Sequence, residues 1–150
     1  MIRFEVYGLP APQGSKTPTK WGGFREANKN LPAWREAVRK AAVAYMEAHP
    51  HEEFPILGPF DLHCTLFLPR PKTVKRPLPS VKPDRDKLER AVMDALTKSG
   101  MILDDCLSTD GRSRKRYADT REPGALIEIR PVTSDYDEFV TSKNCCLDCF

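Results

Sequence analysis

The residues best suited to chemistry lie between Lys82 and Asp105, in the stretch KPDRDKLERAVMDALTKSGMILDD. Asp84 and Asp86 open it, and Asp104 and Asp105 close it. Lys82, Arg85, Lys87 and Arg90 surround the first pair, and Arg112, Arg114, Lys115 and Arg116 follow the second. Carboxylates held close together raise one another's pKa unless a cation neutralises them. A hard divalent ion with oxygen ligands does this, and Mg²⁺ is satisfied by one or two carboxylates, waters and a substrate phosphate. Carboxylates set among cations therefore suit metal-assisted hydrolysis of a phosphodiester backbone. Arg90, one turn beyond Asp86, would stabilise charge building on the phosphate. Lys87 and Lys82 would hold the flanking backbone.

Each of these residues also has a structural use. Asp84, following Pro83, suits a helix N-cap, where its side chain accepts from first-turn amides. Asp86 would sit where the helix dipole favours an anion. Asp94 and Arg90 form an i, i+4 pair, and Asp104 and Asp105 suit a turn. Chain geometry favours the site. A helix over 84–98 is about 21 Å long, and an extended return over 98–105 covers about 23 Å. The return path permits Asp105 to meet Asp84 and Asp86.

Other chemistries find less support. His49, His51 and His63 lack zinc-protease spacing, and no G-x-S-x-G occurs. Gly14-Ser15-Lys16-Thr17 matches only the end of a phosphate-binding loop, because Leu9 stands where the earlier glycine is required. The cysteines Cys64, Cys106, Cys145, Cys146 and Cys149 are odd in number, which argues against a disulfide framework. Cys146 and Cys149 form a C-x-x-C without a second ligand pair.

The elements that must position the site follow from periodicity. Residues 2–8 and 60–68 alternate apolar and polar, as half-buried strands do. In the second, Phe60, Leu62, Cys64, Leu66 and Leu68 share one face, with His63 on the other. Residues 124–130 read as a further strand. Residues 32–48 read as a helix, with Pro32 in its first turn and Trp34, Val38, Ala41 and Tyr45 at helical spacing. The helix over 84–98 carries Leu88, Ala91, Val92, Ala95 and Leu96 on one stripe and stops at Gly100. Residues 13–30 form a long loop in which Lys16, Lys20, Arg25 and Lys29 are interleaved with Trp21 and Phe24. Such a loop either grips a nucleic-acid strand, with rings stacking on bases, or packs Trp21 back on the domain. The proline-rich residues 69–83 form a second long loop carrying Arg70, Lys72, Lys75 and Arg76. Asp110-Gly111 signals a turn, and 112–117 an exposed strand. Together these predict one domain over 1–132 that combines strands with two helices. Residues 133–150 form a tail without periodicity.

With 150 residues, the chain is long enough to bury a core without a staple. The net charge of +3 is only mildly basic, so the clustering of cations carries more weight than the total. No apolar run is long enough to span a membrane, and the first residues do not form a signal peptide, which predicts a cytoplasmic location.

The core pattern K-P-D-x-D-x-L-x-[KR]-x-x-x-D-A-L, Lys82 to Leu96, with Asp104-Asp105 and Arg114-Lys115-Arg116-Tyr117, resembles the RusA family of Holliday-junction resolvases. The opening F-x-V-x-G-x-P, Phe4 to Pro10, also fits. The resemblance implies an Mg²⁺-dependent endonuclease, with Mn²⁺ as a substitute, whose metal-binding aspartates are Asp84, Asp86 and Asp105. It implies an α+β domain, a small mixed sheet with two helices packed on one face, and a homodimer that cuts opposed strands of a four-way DNA junction. The family's catalytic lysine is replaced here by Arg90, with Lys87 standing where asparagine is often found. Lys16, Lys20, Arg25, Arg70, Lys72, Lys75, Arg76, Lys82, Arg112, Arg114, Lys115 and Arg116 would contact DNA. The competing readings are a nonenzymatic DNA-binding module, a nuclease preferring flaps or forks, and aspartates that merely cap.

Overall fold

The computed structural model describes residues 1–14, 16–26 and 28–132. In chain order it contains β1 (Ile2–Tyr7), a short hairpin of β2 (Lys16–Pro18) and β3 (Phe24–Glu26), and helix α1 (Leu31–Ala48). Strand β4 (Phe60–Leu68), helix α2 (Arg85–Ser99), β5 (Ser108–Tyr117) and β6 (Gly124–Pro131) follow. A single 3-10 turn, Asp105–Leu107, separates α2 from β5. The main sheet has the order β1-β6-β4-β5. β6 runs antiparallel to both β1 and β4, whereas β5 is parallel to β4. This is the expected α+β architecture. The predicted tail, with Cys145, Cys146 and Cys149, lies outside the described residues.

Alternation in the sequence becomes a two-faced sheet. Phe60, Leu62, Cys64, Leu66 and Leu68 of β4 are buried, while the intervening residues, His63 among them, are half-buried. Ile2 and Val6 of β1 and Ala125, Ile127 and Ile129 of β6 join them in the core. The helices close this face with Leu31, Trp34, Val38 and Ala42 from α1 and Leu88, Ala91, Val92, Ala95 and Leu96 from α2. Each large side chain so buried contributes roughly 1.5–3 kcal/mol relative to exposure. Cys64 belongs to this core. Burial, and secondarily the Glu89 charge, push its thiol pKa up to about 12, which makes it inert as a nucleophile.

Two local expectations are corrected. Residues 13–30 are not a structureless loop, since β2 and β3 pair antiparallel. Thr19 closes their turn: its amide donates to the Gly23 carbonyl at 2.7 Å, and its Oγ1 accepts from the Gly23 amide at 3.0 Å. Gly22 has φ +82°, which favours glycine. Trp21 stands at this tip 97% exposed, so it does not pack back on the domain. Second, Asp110-Gly111 is not a turn. β5 continues through it after a register shift at Thr109, with Gly111 opposite Leu62. A Cβ on Gly111 would collide with the Leu62 carbonyl oxygen, so close strand approach explains the glycine.

Parallel pairing of β4 and β5 needs a crossover, and α2 supplies it. Its N-terminus follows the end of β4, and its C-terminus returns the chain to the start of β5.

Candidate active site

Asp84 is the N-cap of α2 in extended conformation, φ −69° and ψ 140°, yet its side chain makes no capping hydrogen bond. Its carbonyl accepts from the Leu88 amide at 3.1 Å. Its carboxylate instead meets Lys87, with Nζ 3.4 Å from Oδ2. Asp86 is exposed in the first turn. Neither carboxylate at this end of α2 is buried: Asp86 is exposed and Asp84 is partly exposed beside Lys87.

Lys87 is held from behind. Its carbonyl accepts from the Gln13 amide at 2.9 Å, and its side-chain methylenes lie 3.4 Å from the position a Gly14 Cβ would take. A larger residue than Gly14 would press on the lysine. Arg90 is exposed and forms no ion pair among the described residues. The expected Arg90–Asp94 pair does not form. Asp94 meets Lys98 at 2.8 Å and Arg35 at 3.1 Å, and Arg35 Nε also donates to Gln13 Oε1 at 3.0 Å. That network ties α1, α2 and the segment after β1 together.

Asp104 and Asp105 lie elsewhere. Ile102 is buried beside Ile56: the Ile56 amide donates to Met101 O at 2.9 Å, and the Leu103 amide to Ile56 O at 3.1 Å. This pins the segment ahead of β4. The Asp104 carboxylate accepts from the Cys106 amide at 2.9 Å. That amide, then the Cys106 thiol and Asp105, hold its pKa below the ordinary carboxylate range. Asp105 is exposed in the turn that leads into Ser108, which pairs with Phe60 at the start of β4.

The expected meeting of Asp105 with Asp84 and Asp86 therefore does not occur within one chain. No group of three His, Cys, Asp or Glu that could hold a metal occurs among the described residues. The return path exists, but a different residue arrives at its end. Lys115 Nζ donates to the carbonyls of Val81 at 2.7 Å and Pro83 at 2.9 Å, immediately before Asp84. Lys115 follows Ser108 by seven residues, about 23 Å of strand. Asp105 and Asp84 consequently occupy opposite ends of the β4–β5 pair. The chain-length argument overlooked that 101–107 is spent on the Ile56 bridge and a turn before the return begins.

The basic residues divide into two groups. Arg70, Arg76 and Lys115 are committed inside the chain. Arg70 donates to Asp119 Oδ1 at 2.7 Å and Oδ2 at 2.9 Å, and to the Arg76 carbonyl at 2.6 Å. Its guanidinium also lies 4.0 Å over the Tyr117 ring. Hydrogen bonding from Arg70 lowers the Asp119 pKa. Arg76 Nε donates to the Tyr117 hydroxyl at 3.0 Å. These three order the 69–83 loop from within the chain. Lys20, Lys72, Lys75, Lys82, Arg112, Arg114 and Arg116 are exposed. Lys16 and Arg25 lie on β2 and β3. Arg112, Arg114 and Arg116 alternate with Ser113, Lys115 and Tyr117, so they project from the other face of β5. Ser113 is buried and its hydroxyl donates to Glu89 of α2. Strand alternation within 112–117 was the signal that separates Lys115 from its arginine neighbours.

A cavity of about 820 Å³ opens beside Asp84 and Lys87. Prolines of the 69–83 loop, Tyr117 and the segment ahead of α1 line it. Of these, Lys29 belongs to the loop read as gripping a strand and Tyr117 to the quoted motif, whereas the prolines were read only as loop formers.

No helix among the described residues is long and apolar enough to cross a membrane. No curated protein matches the chain significantly. The family model described as endodeoxyribonuclease RusA matches residues 8–130, which include both strands that flank α2, α2 itself and all the carboxylates described above. The chain belongs to the RusA endodeoxyribonuclease family, whose activity is that of a Holliday-junction-resolving nuclease.

Proposed function

We propose that the protein is an Mg²⁺-dependent endonuclease that resolves four-way DNA junctions as a homodimer, with Asp84 and Asp86 of one copy and Asp105 of the other forming each site. The observation that carries this reading is the Asp84 side chain, which sits at a helix N-cap without capping. Two carboxylates that are not buried suit Mg²⁺, which takes one or two carboxylates together with waters and substrate phosphate. Asp105, exposed at the far end of the same chain, is available to a second copy. A two-fold pair of chains exchanges such residues reciprocally, generating two equivalent sites for two opposed strands.

The ion, when bound, would polarise the phosphate and lower the pKa of a water. Arg90 offers permanent positive charge to the phosphate but cannot give up a proton. Lys87, whose Nζ already lies 3.4 Å from Asp84, can donate one to the departing 3′-oxygen. It therefore takes the role of the family's lysine. Exposed cations on the hairpin, the 69–83 loop and β5 would hold backbone phosphates.

Mixing variants tests the shared site. Asp86→Asn and Asp105→Asn should each bind a synthetic four-way junction yet cut it more than about 100-fold slower, since ligand loss should exceed the usual cost of losing a supporting contact. Mixed dimers of the two retain one intact site, so mixing should restore nicking of a single strand. If mixing restores nothing, the shared site is wrong. If Asp84→Asn cuts as fast as wild type, the carboxylates are not catalytic at all.

A further inference from the structure

The cavity beside Asp84 has a chemistry that phosphate contacts do not require. Leu9, Pro12, Pro79 and Val81 give it apolar walls, and the Tyr117 ring contributes to its lining. Lys29, Lys82 and Arg76 lie around it. Its volume of about 820 Å³ falls in the range of roughly 300–1,000 Å³ typical of pockets for small organic ligands. A site that only gripped backbone would need cations on an open surface, without a concave apolar recess.

Asn30 adds a recognition group. It is the N-cap of α1, yet its side chain makes no capping bond, and it lines the same cavity. A carboxamide offers a donor and an acceptor together, which suits the edge of a nucleobase. Lys87 and Asp84 line the cavity too, so its occupant would lie next to the proposed cleavage chemistry.

We propose that this cavity receives a nucleobase swung out of the stack, from the nucleotide beside the phosphate that is cut. The inference rests on the nuclease reading above and specifies what that site recognises. A base already unpaired at a branch point costs less to swing out than one in an intact duplex. Filling the cavity would therefore couple cutting to branched DNA. The base stacks against proline and tyrosine surfaces while Lys29 and Lys82 hold adjoining phosphates.

The test uses full-length protein and four-way junctions carrying 2-aminopurine at each nucleotide flanking the mapped cut. Binding is read without divalent metal, so it does not depend on cleavage. One position should change its fluorescence about twofold or more on binding, because that base leaves the stack. The change should be absent on linear duplex. Val81→Trp, at a 46% exposed position on the cavity wall, should abolish it while junction affinity stays within a few-fold. Asn30→Ala should weaken it, and circular dichroism checks that both variants fold. Equal signals at every flanking position, or a signal unchanged by both variants, would overturn the pocket. If wild type then still cuts junctions, the nuclease reading stands without it. If wild type neither binds nor cuts branched DNA, both fall.

Discussion

Asp84 shows how a single side chain changes meaning. An aspartate before a helix is expected to accept first-turn amides, and here it does not. It stands beside Lys87 with oxygens to spare. Trp21 is the second informative residue. At 97% exposure it contributes almost nothing to the core, so Trp21→Ala should change stability by no more than about 0.5 kcal/mol. If the ring stacks on a base, the same change should weaken junction binding by about 1–3 kcal/mol, measurable by fluorescence anisotropy. An unchanged affinity would remove the hairpin tip from the interface. Asp119 provides a pH test. Arg70 holds its carboxyl below the ordinary value of 3.8. A carboxylate with a depressed folded pKa stabilises the fold above its unfolded pKa and loses that effect as pH falls through the folded one. The melting-temperature gap between wild type and Asp119→Asn should be full near pH 6 and close below about pH 4. A gap independent of pH would mean the pair contributes nothing electrostatic.

At the scale of elements, the β4–α2–β5 crossover places the residues of the proposed site. It delivers the N-terminus of α2 to the end of β4 and turns β5 back along it. Lys115 then anchors the two carbonyls flanking Lys82, while the Ser113–Glu89 bond ties β5 to the first half of α2. In the proposed site Lys115 would therefore position Asp84 through the backbone just ahead of it. Lys115→Met should cost about 1–2 kcal/mol of stability, the scale of charged hydrogen bonds discounted for partial exposure. It should lower kcat and raise the Mg²⁺ concentration needed for half-maximal rate, with junction affinity little changed. Loss of affinity with unchanged kcat would instead return Lys115 to the DNA-contact group. The same crossover explains why Asp105 was misplaced by chain-length reasoning, because distance along a chain does not say which residue reaches the end of the path.

At the scale of the whole molecule, cations occupy several surfaces. The hairpin, the 69–83 loop and the open face of β5 each carry exposed Lys or Arg. Junction arms approaching a two-fold pair of chains would meet more than one of these. Each phosphate neutralised contributes about −0.9 to the slope of log affinity against log salt. Replacing Arg112, Arg114 and Arg116 together by alanine should reduce that slope by about one unit per arginine. A slope equal to that of wild type would show that this face of β5 is turned away from DNA. If each site is shared between two copies, as proposed, activity should fall on dilution below the dimer dissociation constant.

The sequence by itself determined whatever depends on local repetition. Period-two alternation in 60–68 and the stripe from Leu88 to Leu96 set strand, helix and buried face, because backbone geometry imposes those spacings on any chain. The Asp84-x-Asp86 spacing and the family to which the motif belongs were legible as a local motif. The hairpin around Trp21 was not, since its strands are too short for a period to show. Tertiary structure decided what depends on residues far apart in sequence. It tied Arg70, Arg76 and Lys115 to other segments, because each found an oxygen or ring there. It gathered prolines and Tyr117 into a cavity that no local pattern announces. It also placed Asp105 at the opposite end of the β4–β5 pair from Asp84, because strand register, unlike composition, is a property of two segments at once.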